Sequence, residues 1–184
     1  MKKQTITSIV DTYLKKLVDI ELNVLPGQIE SEMADHSQDK GEGWRIWFPV
    51  ESKVTDSEIE EFETRLGLKL PSDYKIFLKH KHFYELQISE ASFCRHPINT
   101  WRTNQMEMIF DGYPTEYLIE KGFIPIADWS DWGLLCFDTN KNKGDYNYPI
   151  ILWDHEIADK VQERYKDFYD LLINLDREEK KDIA

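Results

Sequence analysis

Only two cysteines, Cys94 and Cys136, occur in the 184-residue chain, and they are not closely spaced. That excludes a disulfide framework. Basic residues are also scarce, at 23 against 35 acids, which leaves a net charge of −12. Nucleic-acid binding depends on lysine and arginine meeting phosphates, so a surface this acidic should repel nucleic acid and anionic membranes alike. It suits a basic protein partner, or simply solubility. Long apolar runs are absent too. After Met1-Lys2-Lys3, the residues Asp11, Lys15, Lys16 and Asp19 interrupt the apolar positions. Neither a signal peptide nor a membrane span is expected, and a reduced, cytoplasmic setting is.

Chemical signatures are equally sparse. There is no Gly-x-Ser-x-Gly elbow and no phosphate loop. Gly41-Glu42-Gly43 lacks the further glycine and the helix start that a phosphate loop needs. No internal repeat or low-complexity tract is visible. What is plentiful is aromatic. Hydrophobic residues make up 41% of the chain and aromatic residues 13%, with six tryptophans and nine tyrosines. This is enough for a real core, so global disorder is excluded. The surplus of rings implies aromatic packing or an aromatic binding surface. The length suits one domain with extensions, or else two small ones.

Residues 5–25 repeat apolar side chains at helical spacing (Ile6, Val10, Tyr13, Leu17, Ile20) before Pro26-Gly27 stops the pattern. This helix either packs on the core as an extension or docks another chain. Residues 28–43 are polar and acidic and read as a linker or surface loop. Residues 44–50 read as a strand with Pro49 at its end or edge.

From Thr55 to Leu78 the signals are dense. Thr55 and Glu58 have capping-box spacing. Ile59, Phe62 and Leu66 share a helical face, and Gly67 fits the left-handed stop. Pro71 then starts a second short helix carrying Tyr74, Phe77 and Leu78. Glu60, Glu61 and Glu63 read as a solvated face or part of an acidic docking surface. Further on, residues 80–94 read as one or two short strands, and 98–109 as a helix or loop. Residues 134–138 and 149–156 read as a hairpin. A last helix is expected from about Ile157 to Leu175, with Asp154 as its cap, followed by a frayed charged tail from Asp176.

These pieces resemble the SUKH superfamily, Smi/Knr-type branch. The matching residues are Trp47 and Pro49, then Glu63, Leu66, Gly67, Leu70 and Pro71, then Tyr74, Phe77 and Leu78. The second half is similar as well, through Ile124-Pro125-Ile126-Ala127, Phe137-Asp138, Pro149-Ile150, Trp153, His155-Glu156 and residues 168–175. The chain departs from the family's frequent Asn-Gly turn, with Lys79-His80-Lys81-His82 in its place. The resemblance implies an α+β fold, a largely antiparallel sheet with helices packed against it. The family-like domain would span 44–176, preceded by an N-terminal extension (1–43) and followed by a charged tail (177–184). It also implies function. Many bacterial members are immunity proteins that bind and block a cognate polymorphic toxin, often a basic nuclease. Fungal members act as regulatory or scaffold modules in cell-wall control. Neither role requires catalysis, a metal or a cofactor.

Cys94 and His96 would share a strand face, but sequence neighbours rarely form a catalytic pair, and Cys136 reads as core. His80 and His82 read as surface histidines rather than zinc ligands, which need three or four donors. Asp154-His155-Glu156 reads as a cap rather than a metal or acid–base site. The remaining feature is a set of aromatics beside carboxylates: Asp111 and Tyr113, Trp129, Asp131 and Trp132, and Asp145 and Tyr146, with Tyr148 close by. Such pairs suit a basic partner, because rings supply buried area and acids steer encounter. The alternative for either tryptophan is packing onto the sheet.

Overall fold

Thr55 caps the helix that the sequence marks most strongly. The Glu58 amide donates to Thr55 Oγ1 at 3.2 Å, and the Thr55 amide donates to Glu58 Oε2 at 2.9 Å, which closes the capping box. The helix spans Asp56–Leu66 and stops at Gly67, whose φ of 72° is the left-handed conformation. The structure, a computed structural model, describes residues 1–39, 43–157 and 160–182. Gly41-Glu42 and the final two residues of the tail lie outside the described residues.

In chain order the elements are α1 (Lys2–Asp19), β1 (Val24–Pro26), β2 (Ala34–Asp39), β3 (Trp44–Trp47), β4 (Val50–Glu51), α2 (Asp56–Leu66), α3 (Ser72–Leu78), β5 (Lys81–His82), β6 (Gln87–Ile88), β7 (Ala91–Phe93) and α4 (Trp101–Phe110). Then follow β8 (Phe123–Trp129), β9 (Gly133–Asp138), β10 (Ile150–Asp154), β11 (Val161–Tyr165) and α5 (Phe168–Asp182). Two short 3-10 turns, Thr115–Tyr117 and Ile119–Lys121, lead into β8 through the left-handed Gly122. The class is α+β. The main sheet is antiparallel, in the order β11-β10-β9-β8-β7-β6, with a three-stranded sheet β1-β3-β2 and a small pair β4-β5 beside it.

Strand β9 is buried along its whole length, because both faces of the main sheet are covered there. One face carries Leu135, Phe137, Ile150 and Leu152 into the principal core with α3 and α5. The other carries Leu134, Cys136, Ile151 and Trp153 against Leu118, with Tyr113, Tyr117 and Phe123 at its margin. The apolar stripe of α1 (Ile6, Ile9, Val10, Tyr13, Leu14) lies in the principal core. Lys2 Nζ pairs with Asp73 at 2.6 Å and Lys16 Nζ with Glu179 at 2.5 Å, fixing α1 to α3 and α5.

Several expectations need correction. Residues 34–39 are a strand paired with β3, not simply a loop. The last helix does not begin near Ile157. Residues 161–165 form the edge strand β11, with Tyr165 opposite Ile150. The helix start is set by Asp167, whose Oδ1 accepts from the Asp170 amide at 2.8 Å, while the Lys166 amide donates back to Asp170 at 3.0 Å. Asp154 therefore caps no helix. It ends β10 and accepts from the Glu156 amide at 3.0 Å and from Lys160 Nζ at 3.1 Å. The charged tail continues as helix to Asp182 rather than fraying at Asp176.

Glu63 does not belong to a solvated face of α2. It is 2% exposed rather than solvated. Burial raises its pKa, but Lys69, Lys75 and the Leu70 amide outweigh that and hold it below the usual carboxylate range. Lys69 Nζ lies at 2.8 Å, Lys75 Nζ at 2.5 Å and the Leu70 amide at 2.8 Å. Glu63 is thus the clasp between α2 and α3. Glu63→Ala should cost about 1–3 kcal/mol in urea denaturation, because the buried Leu70 amide loses its acceptor. Because the folded pKa is depressed, this contribution is full above about pH 4.5 and disappears as pH falls through the folded value.

Candidate functional site

The turns at one end of the main sheet carry Trp132 and several exposed acids, while the exposed rings of Trp44 and Phe48 lie apart, on β3 and just after it. The β8–β9 turn passes through Ser130, whose φ is 48°. Its amide donates to the Glu90 carbonyl at 2.9 Å, and its hydroxyl donates to the Glu90 carboxylate. The β10–β11 turn joins from the other side, with the His155 amide donating to the Trp132 carbonyl at 3.1 Å. Tyr113 closes the group. Its hydroxyl donates to Asp128 at 2.7 Å, and its ring meets Trp153 edge-on at 6.2 Å. Burial, and then Asp128 itself, push the Tyr113 hydroxyl pKa upward.

The two tryptophans of this turn have opposite fates. Trp129 is 5% exposed and Trp132 is 38% exposed. Gly133 leaves room for the packing around Trp129. A Cβ there would lie 2.8 Å from Leu152 Cδ1 and 3.0 Å from the Trp153 carbonyl, and Trp129 Cβ is only 3.6 Å away. The bare strand lets Trp129 and Leu152 lie against it. The Arg164 guanidinium covers the Trp129 ring at 5.2 Å. Trp129 therefore packs onto the sheet and offers a partner little surface. Asp111, Asp131 and Trp132 are exposed and Tyr113 is half-buried. Glu90, Glu156 and Ile157 are exposed beside them, Ile157 at 55%.

Asp145 and Tyr146 belong elsewhere. They sit in the β9–β10 loop, at the opposite end of β9 from Trp132. Six strand residues separate the two ends by about 20 Å. Asn142 Oδ1 organises that loop by accepting from the Gly144 and Tyr146 amides, at 2.9 and 3.2 Å. Tyr146 is 45% exposed, whereas Tyr148 is 2% exposed and donates to the Lys69 carbonyl at 2.9 Å. The sequence treats all these residues as one kind of surface. The fold divides them between two ends of the sheet.

The thiols and imidazoles are interior. Burial raises the Cys94 thiol pKa to about 12 and pushes that of Cys136 well above its ordinary value. His82 is no surface histidine, for it is fully buried like His96. His82 Nε2 accepts from the Lys53 amide at 2.9 Å, so Nδ1 is the atom that donates to the His96 carbonyl at 3.0 Å. His96 Nε2 donates to the Leu78 carbonyl at 2.8 Å. His80 pairs with Asp11 at 2.8 Å. Among the described residues no group of three or more His, Cys, Asp or Glu has the geometry to hold a metal. One feature has no local signature in the sequence. A trough of about 870 Å³ opens next to Asp111 and Asp128, lined by residues from α1, β6, β7 and α4. Its walls come from segments far apart in the chain, so no motif announces it.

An antiparallel sheet packed against helices defines an α+β domain. The sequence model of the SMI1 / KNR4 family (SUKH-1) matches residues 53–174, about two thirds of the chain. The chain belongs to this family, which includes toxin immunity proteins and whose members bind partner proteins. It is 25% identical, over 56% of its length, to the SPbeta prophage-derived uncharacterized protein YokK of Bacillus subtilis (strain 168). The matched region spans 64% of that relative, slightly less than two thirds of its length. Among the described residues no helix is long and apolar enough to cross a membrane.

Proposed function

We propose that this chain is a non-catalytic immunity protein that binds and neutralises a cognate toxin in the cytoplasm, the toxin being a basic domain such as a nuclease. The observation that carries this reading is the exposed, acid-flanked ring of Trp132 on a chain of net charge −12. A ring of this kind anchors a contact, and its flanking carboxylates raise the rate of encounter with a basic surface. Asp111, Asp131 and Trp132, with Tyr113 behind them, form the first contact surface in this proposal. Asp145 and Tyr146 form a second, at the far end of β9. Trp129 is left out because it is buried.

The test is co-expression with the toxin encoded by the adjacent reading frame. The intact chain should restore growth. Trp132→Ala should weaken binding by about 2 kcal/mol, roughly thirtyfold in Kd, with stability unchanged. A growth defect that the intact chain does not relieve contradicts the proposal.

A further inference from the structure

The trough beside α4 is unused by the contact surface just described, although Asp128, which lines it, holds the Tyr113 hydroxyl. Its walls carry Leu17 and Leu22 at the end of α1, Phe93 on β7 and Met108 on α4. Leu22 is 61% exposed, and Ile20 next to it is 53% exposed. A smaller cavity of about 160 Å³ shares Leu17, Leu22 and Gln87 with the trough and carries it along α1 past Ile20. The combined shape is elongated and open, which suits an extended segment better than a compact metabolite.

Charge decides what kind of segment. Glu85, Glu107, Asp111 and Asp128 line the trough beside Arg95, and the only cation that the smaller cavity adds among the described residues, Lys16, is already paired with Glu179. Asp128 is already engaged by the Tyr113 hydroxyl. Glu85 has no hydrogen-bond partner among the described residues. Its pKa is raised by burial, and Arg95 offsets that only in part. A half-buried carboxylate without a donor gains when a cation arrives. Arginine and lysine both bury an apolar stem and present a charged head, which matches apolar walls edged with carboxylates.

We propose that this trough seats an extended basic segment of the partner, an arginine or lysine flanked by apolar side chains. The proposal rests on the protein-binding reading above and adds an anchor point to it.

The test is NMR titration of the full chain with a capped Leu-Arg-Leu-Arg-Leu peptide and its Leu-Glu-Leu-Glu-Leu counterpart. The arginine peptide should give saturable shifts at Glu85, Phe93, Glu107 and Met108, and the glutamate peptide should give none. Glu85→Gln combined with Glu107→Gln should weaken the arginine peptide about tenfold without lowering the melting temperature. The assignment is overturned by equal binding of both peptides, by shifts confined elsewhere, or by no saturable shift up to about 5 mM, the limit of weak specific contacts. It is equally overturned if the double variant binds the arginine peptide as well as the parent does. A peptide that seats in the trough while no toxin is neutralised refutes the immunity role and spares the trough. Neutralisation without any peptide binding does the reverse.

Discussion

Phe168→Ala is expected to destabilise the protein by about 3–5 kcal/mol, a large share of the roughly 5–15 kcal/mol that holds a domain together. Phe168 is fully buried in the first turn of α5. Its ring meets Tyr74 at 5.0 Å and Phe77 at 5.3 Å, both on α3. It also meets Phe93 of β7 and Phe137 of β9, each at 6.3 Å. One side chain thus joins a helix of the first half of the chain to two strands and to the closing helix. Truncation leaves a void among rings that are themselves wedged, so the walls cannot collapse to fill it. Urea denaturation followed by tryptophan fluorescence checks this. Phe168→Leu should lose clearly less. A loss below about 1 kcal/mol for the alanine variant would mean that this ring cluster is not the centre of the core.

Acid should destabilise the fold through the histidine pair. His82 and His96 stack at 5.0 Å with 26° between their planes. Both nitrogens of His82 are engaged as one donor and one acceptor, which is the pattern of a neutral ring. His96 Nδ1 is buried with no partner among the described residues. A proton added to either ring would face the Lys53 amide or an apolar wall. Burial lowers both pKa values, that of His96 to about 3, with the neighbouring His82 a further cause. The sign follows from linkage. Below about pH 6.5 the unfolded chain binds protons that the folded chain refuses, so stability is full above that pH and falls between 6.5 and about 3. For His96 alone the loss across that window is about 4–5 kcal/mol at 1.36 kcal/mol per pH unit. His96→Phe should be less stable at pH 7 by about 1–3 kcal/mol, because the buried Leu78 carbonyl loses its donor. It should also show a flatter pH profile, overtaking the parent near pH 5. Parallel profiles for the two proteins would refute the assignment.

Much of this fold is legible because its signals are local. Thr55, Glu58 and Gly67 mark the ends of α2 within a dozen residues, and Leu134-Leu135-Cys136-Phe137 declares a strand buried on both faces. The misreadings all concern long-range partners. Val161 and Tyr165 fall at helical spacing with Phe168, so the apolar period runs on through an edge strand. The decisive cap, Asp167, lies inside that apparent period. Glu63 reads as solvated because Lys69 and Lys75 reach it only after the chain turns at Gly67 and Pro71. His82 reads as exposed because its neighbours Lys79 and Lys81 are charged, while its true partners are Lys53 and His96. Trp129 and Trp132 look equivalent three residues apart, and only the fold buries the first and leaves the second exposed. The trough is assembled from α1, β6, β7 and α4, which the sequence keeps far apart.

The most direct measurement for the immunity role is stopped-flow association of the full chain with the toxin of the adjacent reading frame at increasing salt. The proposed role requires tight one-to-one binding, with an on-rate that falls steeply as ionic strength screens the acidic surface. Trp132→Ala should speed dissociation while leaving the on-rate nearly unchanged. Asp131→Asn combined with Asp111→Asn should slow association. No binding, or an on-rate indifferent to salt and to these acids, would contradict it.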